Sequence, residues 1–173
     1  MKLNLGCGDR YVDGWTNVDL WTMPHRADQR VDLTGELPWG ANSVECVYAG
    51  HVLEHLNRAD AWTLLSRLRK CMINNGAIML VGPDVDRGRE LLGEAGSDEF
   101  GATLDSLRFG AGRWAGDVHL WECTEQRLVE LLEDAGWSSV TPMNMDEVQL
   151  LWPVADPRPR WQCAVGALAR EEV

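Results

Sequence analysis

Four short groups of residues are suited to chemistry: Gly6-Cys7-Gly8, Asp19-Leu20, Asp32-Leu33 and Ala49-Gly50-His51. Glycines directly after an apolar run let the backbone turn sharply and approach a ligand without a Cβ clash. A carboxylate ending the next run, at Asp19, can accept both hydroxyls of a ribose. Asp32 can accept from an adenine amino group while the Leu33 N–H donates to the ring. His51 and a later His119 carry imidazoles that titrate near neutral pH, as a general base should. Each group alone has a plainer reading as a strand-to-loop turn, a turn-forming aspartate or a scaffold histidine. A dinucleotide fingerprint would place a third glycine at position 11, where the chain has Tyr11. That residue argues against a nicotinamide-dependent oxidoreductase.

The elements that must position these groups follow from hydrophobic patterning. Short apolar runs at residues 2–5, 16–20, 31–33, 44–49 and 77–81 alternate with helical spacing, the mark of a parallel sheet with crossover connections. A helix is predicted over 60–72, where Ala61, Leu64, Leu65, Leu68 and Met72 form one face. Asn75-Gly76 is read as the turn into the next strand. Thr124 caps a second helix with Leu128, Leu131, Leu132 and Ala135 in phase, ended by Gly136. Strands are predicted over 137–145 and 161–168, with a loop marked by Pro153, Pro157 and Pro159. Residues 84–118 are rich in glycine and charge, and are read as a helical insertion or lid.

The length of 173 residues suits a single domain over 1–173. The net charge of −11 makes nucleic acid an unlikely partner, since its phosphates need cations. The five cysteines are scattered and odd in number, which fits reduced thiols. No apolar run approaches the roughly 20 residues of a membrane helix, and Lys2 already opens a strand-like run. A cytoplasmic protein, monomer or homodimer, with no membrane contact is expected. The nine tryptophans are read mainly as core.

Taken together, the motifs resemble class I S-adenosylmethionine-dependent methyltransferases, and most closely the small bacterial type 11-like group. The resemblance rests on Leu3-Asn4-Leu5-Gly6-Cys7-Gly8, Gly14-Trp15-Thr16-Asn17-Val18-Asp19, Leu37-Pro38-Trp39 and His51-Val52-Leu53-Glu54-His55-Leu56. Met72-Ile73-Asn74-Asn75-Gly76, His119-Leu120-Trp121 and Ala135-Gly136-Trp137 extend it. It covers roughly residues 2–83 and 119–145, and not 84–118. It implies a Rossmann-like α/β fold: a mostly parallel seven-stranded sheet with helices on both faces and the last strand antiparallel. It implies S-adenosylmethionine as cofactor. Asn4 and Gly6-Cys7-Gly8 would face its amino-acid part, and Asp19 with Leu20 the ribose. Asp32 and Leu33 would hold the adenine, with Ala49, Gly50 and His51 near the sulfonium. The helix that covers the cofactor in larger relatives has no counterpart before Lys2.

The expected function is methyl transfer to a small-molecule or sugar-like acceptor, with His51 and His119 as candidate bases. Two alternatives stay open: a non-catalytic S-adenosylmethionine-binding protein and a metal-dependent RNA 2′-O-methyltransferase. Some methyltransferases hold a divalent ion through Glu-x-x-Glu-His and a later His. Here His51 replaces the first glutamate, ahead of Glu54, His55 and His119, which disfavours a hard Mg²⁺ site. His51-x-x-Glu54-His55 also matches an inverted zinc-protease motif, a reading its context does not favour. Glu54 and His55 are read as capping or hydrogen-bonding residues within the helix start that follows the 44–49 strand, and no metal site is expected.

Overall fold

The computed structural model describes the chain apart from residues 22–25, 94–95, 99–100, 115, 153–158 and 171–173. Its strands are β1 (Lys2–Leu5), β2 (Thr16–Asp19), β3 (Gln29–Arg30), β4 (Val44–Gly50), β5 (Met72–Pro83), β6 (Ser138–Met143) and β7 (Gln162–Ala169). They form one sheet in the order β3-β2-β1-β4-β5-β7-β6. The first five pair in parallel, and β7 runs antiparallel between β5 and β6. The expected sheet, with its antiparallel last strand, is therefore present.

Alternation along the strands splits the core between two faces. Leu3, Leu5, Val47, Ala49, Ile78, Leu80 and Val165 pack with α1 (Arg58–Cys71) and α4 (Glu125–Asp134). Asn57 caps α1 by accepting from the Asp60 N–H at 2.9 Å, so the helix starts earlier than the apolar spacing predicts. Thr124 caps α4 as expected, and Gly136 follows it with φ 82°. Trp137 Nε1 donates to the Leu65 carbonyl at 3.1 Å and ties the strand after α4 to α1.

The opposite face is covered more thinly. Tyr48, Met79, Val81 and Ala164 meet Met145 and Val148 of α5 (Met145–Leu151), with Val12, Trp15 and Trp152. Only a short loop lies between β1 and β2. Asn4 and Asn17 point into that loop and satisfy it: Asn17 receives the Val12 N–H at 2.9 Å and donates to the Val12 carbonyl at 3.0 Å. Two buried amides thus replace the apolar residues that a helix would need beneath it.

Several elements differ from expectation. β3 lies at Gln29–Arg30, so residues 31–33 follow the strand instead of forming it. Asn75 is not a turn into β5. The strand begins at Met72, and residues 73–76 bulge out of register with β4, with Asn75 at φ 60°. α5 replaces the end of the strand predicted over 137–145. Residues 84–118 hold α2 (Val85–Leu92) and α3 (Leu104–Phe109), whose Val85, Leu104 and Leu107 pack on Trp161. Pro153 and Pro157 lie outside the described residues, Pro159 opens a 3₁₀ turn, Pro159–Trp161, and the last strand starts at Gln162 rather than at Trp161. Trp39, Trp137 and Trp161 are core residues, whereas Trp21, Trp62 and Trp114 are exposed.

Candidate active site

Strand register brings the candidate residues to one edge. Leu5 lies abreast of Val18 and Ala49, so Gly6, Asp19 and Gly50 line up at the carboxyl ends of β1, β2 and β4. Asp19 is abreast of Arg30, which puts Asp32 just beyond the same edge. Ligands of open α/β sheets bind there.

The glycine turn is pinned at this edge. The Cys7 N–H donates to the Val18 carbonyl at 3.0 Å, and the Gly8 N–H donates to Asp19 Oδ2 at 2.9 Å. Gly6 has φ +59°, and a Cβ there would lie 2.4 Å from Val52 Cγ2. Only glycine fits that conformation and that space. The Trp21 N–H donates to Asp19 Oδ1 at 3.0 Å, which fixes the carboxylate plane. Burial, then the nearby Asp19 and Asp28 charges, pushes the Cys7 thiol up to about 11, so it stays protonated and no nucleophile is formed.

Asp32 and Leu33 sit past β3 in an Asx turn. Asp32 Oδ1 accepts from the Thr34 hydroxyl at 2.7 Å and the Thr34 N–H at 2.9 Å, and these bonds lower its pKa. Leu33 packs against the core. Leu20 is exposed beside Asp19. Asn4 lies within β1. Its amide is buried and donates to the Arg10 carbonyl at 2.7 Å and to Asn17 Oδ1 at 2.9 Å. It braces the β1–β2 loop.

β4 ends in a second group. Ala49 is buried, and Gly50 has no side chain to obstruct the edge. His51 follows with φ 57°, a conformation that costs a non-glycine residue on the order of 1 kcal/mol or more. Its N–H still donates to the Val81 carbonyl at 2.8 Å, continuing the β4–β5 ladder. Its Nδ1 faces Glu54 Oε1 at 3.1 Å and its Nε2 faces Gln162 Nε2 at 2.9 Å. An ionised carboxylate only accepts and an amide nitrogen only donates. These partners assign the proton to Nδ1, with Nε2 accepting from Gln162.

Glu54 lies in the 3₁₀ turn Leu53–His55 and is 1% exposed. Burial pushes its carboxyl up, but the His51 hydrogen bond and the nearby His51, His55 and His119 outweigh this and hold it below its ordinary value. The Leu120 N–H donates to the Glu54 carbonyl at 2.8 Å, which docks residues 118–121 on this turn and brings His119 to His55. Their rings meet edge to face with centroids 5.0 Å apart. His55 Nδ1 contacts the Val118 carbonyl at 3.1 Å, and His119 Nδ1 the Leu107 carbonyl at 2.8 Å. A carbonyl only accepts, so each Nδ1 carries the proton and each Nε2 the lone pair. Burial lowers the His119 pKa, favouring its neutral form. Asp117 is buried beside them, with Oδ2 accepting from Arg113 Nε at 3.0 Å.

The structure therefore brings together Gly6-Cys7-Gly8, Asp19, Leu20, Asp32-Leu33 and Ala49-Gly50-His51 at one edge, with His119 held beside His55 over Glu54. Sequence reasoning undervalued three residues. Glu54 does hydrogen-bond at the turn after β4, to His51, but as a wholly buried carboxylate. Gln162, wholly buried at the start of β7, and Asp117 went unremarked. A polar residue opening an apolar strand was the available signal for Gln162. Nothing local marked Asp117, because its burial depends on residues 116–121 folding back on the sheet edge.

No family model matches the chain, and no curated protein matches it. Many solved structures match it instead. An S-adenosylmethionine dependent methyltransferase from Archaeoglobus fulgidus superposes with a TM-score of 0.63 at 15% identity, over 96% of this chain and 84% of that one. One from Mesorhizobium loti gives 0.59 at 15% identity, over 96% of this chain and 89% of that one. The 1,6-didemethyltoxoflavin-N1-methyltransferase of Burkholderia thailandensis gives 0.59 at 16% identity, over 98% and 70%. The fold is that of the class I S-adenosylmethionine-dependent methyltransferases. Identities this low show the architecture alone. The Burkholderia enzyme was solved with 1,6-didemethyltoxoflavin and S-adenosylhomocysteine bound. On this methyltransferase fold the strand order fixes where the edge lies, and the side chains along it are the chain's own.

Proposed function

We propose that the chain binds S-adenosylmethionine and transfers its methyl group to a small-molecule acceptor. The observation that carries this reading is the Gly6-Cys7-Gly8 turn bonded to Asp19 at the carboxyl edge of a methyltransferase fold. In the proposal the glycine turn faces the amino-acid part, and Asp19 beside Leu20 the ribose hydroxyls. Asp32 and the Leu33 N–H meet the adenine, and Ala49, Gly50 and His51 lie near the sulfonium.

Transfer breaks the S–CH₃ bond as the acceptor atom bonds the methyl carbon, leaving S-adenosylhomocysteine. The sulfonium is already an activated donor, so in-line positioning supplies much of the acceleration. An oxygen or nitrogen acceptor also loses a proton. His51 has a partner on each ring nitrogen and is better placed to hold Glu54 than to take that proton. His119 keeps an Nε2 lone pair for a proton or a metal ion. A net charge of −11 favours small acceptors over nucleic acid. Incubation with methyl-labelled S-adenosylmethionine and small-molecule fractions tests this. Label should pass to an acceptor in proportion to S-adenosylhomocysteine formed, and no transfer from any fraction contradicts the transferase reading.

A further inference from the structure

Glu54 is a buried carboxylate whose one direct side-chain hydrogen-bond partner among the described residues is His51. A buried anion needs a positive counterpart. One ring nitrogen each of His55 and His119 and a carboxylate oxygen of Glu54 lie within 4.8 Å of one another. Among the described residues, neither imidazole hydrogen-bonds Glu54. The three groups face each other across a gap that bonded atoms would close and a shared ion would fill.

We infer that Glu54, His55 and His119 form a divalent metal site, selective for a first-row transition ion such as Zn²⁺, Mn²⁺ or Co²⁺. Two imidazoles and one carboxylate suit these ions, whereas Mg²⁺ and Ca²⁺ prefer all-oxygen sets. The surroundings are those of a built site. The Val118 and Leu107 carbonyls fix the Nδ1 protons of both histidines and leave Nε2 for the ion. His51 orients the Glu54 carboxylate by its hydrogen bond. Asp117 adds a second buried anion, and its Oδ1 finds no hydrogen-bond partner among the described residues. His51 lies outside this trio, and the set is not a row of hard oxygen ligands.

Three protein ligands leave positions open for an outside group. An acceptor hydroxyl bound there would have its pKa lowered and would release its proton to solvent water as the methyl is transferred. That role rests on the proposed methyl transfer; the metal site itself does not.

The test uses the untagged full chain, stripped with chelator and titrated with Co²⁺ by visible absorption. One equivalent should bind with new d–d bands, and Zn²⁺ should displace it. His55→Ala and His119→Ala should each weaken binding by about tenfold to a hundredfold or more. Both positions are partly exposed, so both variants should keep the wild-type melting profile. Glu54→Gln should also lose the bands, and a melting curve reports whether that buried change still folds. Absence of saturable one-equivalent binding overturns the site, as does unchanged affinity in the folded double histidine variant. S-adenosylhomocysteine titrated into the same samples separates the two readings. Loss of that binding with Co²⁺ bound contradicts the methyl-donor assignment and leaves the metal site standing.

Discussion

At the scale of single residues, backbone conformation marks the site as clearly as side-chain type. Gly6 and His51 both have positive φ, and they close the facing ends of β1 and β4. For Gly6 the reason is steric, since Val52 fills the space of a Cβ. Gly6→Ala should therefore destabilise the fold by about 1–3 kcal/mol and weaken S-adenosylhomocysteine binding together, read by thermal melts and calorimetry. For His51 the strain is retained with a side chain that a turn alone does not need. Both variants lose the imidazole bond to Glu54, but His51→Asn, a residue tolerant of this conformation, should melt higher than His51→Val. Equal melting temperatures for the two variants would contradict the strain assignment. The glycine turn and Asp19 were legible from residue type and order. Glu54 was not, because the sequence gives the order of His51, Glu54 and His55 but not the burial that turns a capping carboxylate into a charged centre.

At the scale of elements, α1 and α4 were legible because their apolar residues recur at helical spacing, with Thr124 marking the start of α4. Leu132 is fully buried in α4, and Leu132→Ala should cost about 2–5 kcal/mol in denaturant unfolding. The β1–β2 loop was less legible, since it is built on polar bonds and not on a pattern. Asp28 accepts from the Asn17 N–H at 2.8 Å, from Asn17 Nδ2 at 3.0 Å and from the Tyr11 hydroxyl at 3.0 Å. The Asn17 bonds foremost hold its carboxyl below the ordinary range. A lowered folded-state pKa stabilises the fold above the unfolded value, and that stability is lost as the pH falls through the folded one. The gap between wild type and Asp28→Asn in urea unfolding should therefore be widest at neutral pH. It should narrow as the pH drops below the ordinary carboxylate value. A constant gap would contradict this. α5 escaped sequence reasoning because its Met145 and Val148 cover one narrow stripe, too short to show a period.

At the scale of the whole molecule, the mostly parallel sheet was legible from the alternation of apolar runs and helices. What the pattern did not contain is how residues 116–121 return to the sheet edge to place His119 and Asp117 over Glu54. That return joins the proposed donor cleft, along β1, β2 and β4, to the histidine cluster beside it. The central claim is that the row from the glycine turn to His51 holds S-adenosylmethionine. Its most direct measurement is calorimetric titration of S-adenosylhomocysteine into wild type and Asp19→Asn. We predict saturable one-to-one binding to wild type, weakened by about tenfold to a hundredfold in Asp19→Asn, the loss expected for hydrogen bonds to a charged group. No binding to wild type at millimolar ligand, or equal affinity in both proteins, would contradict it.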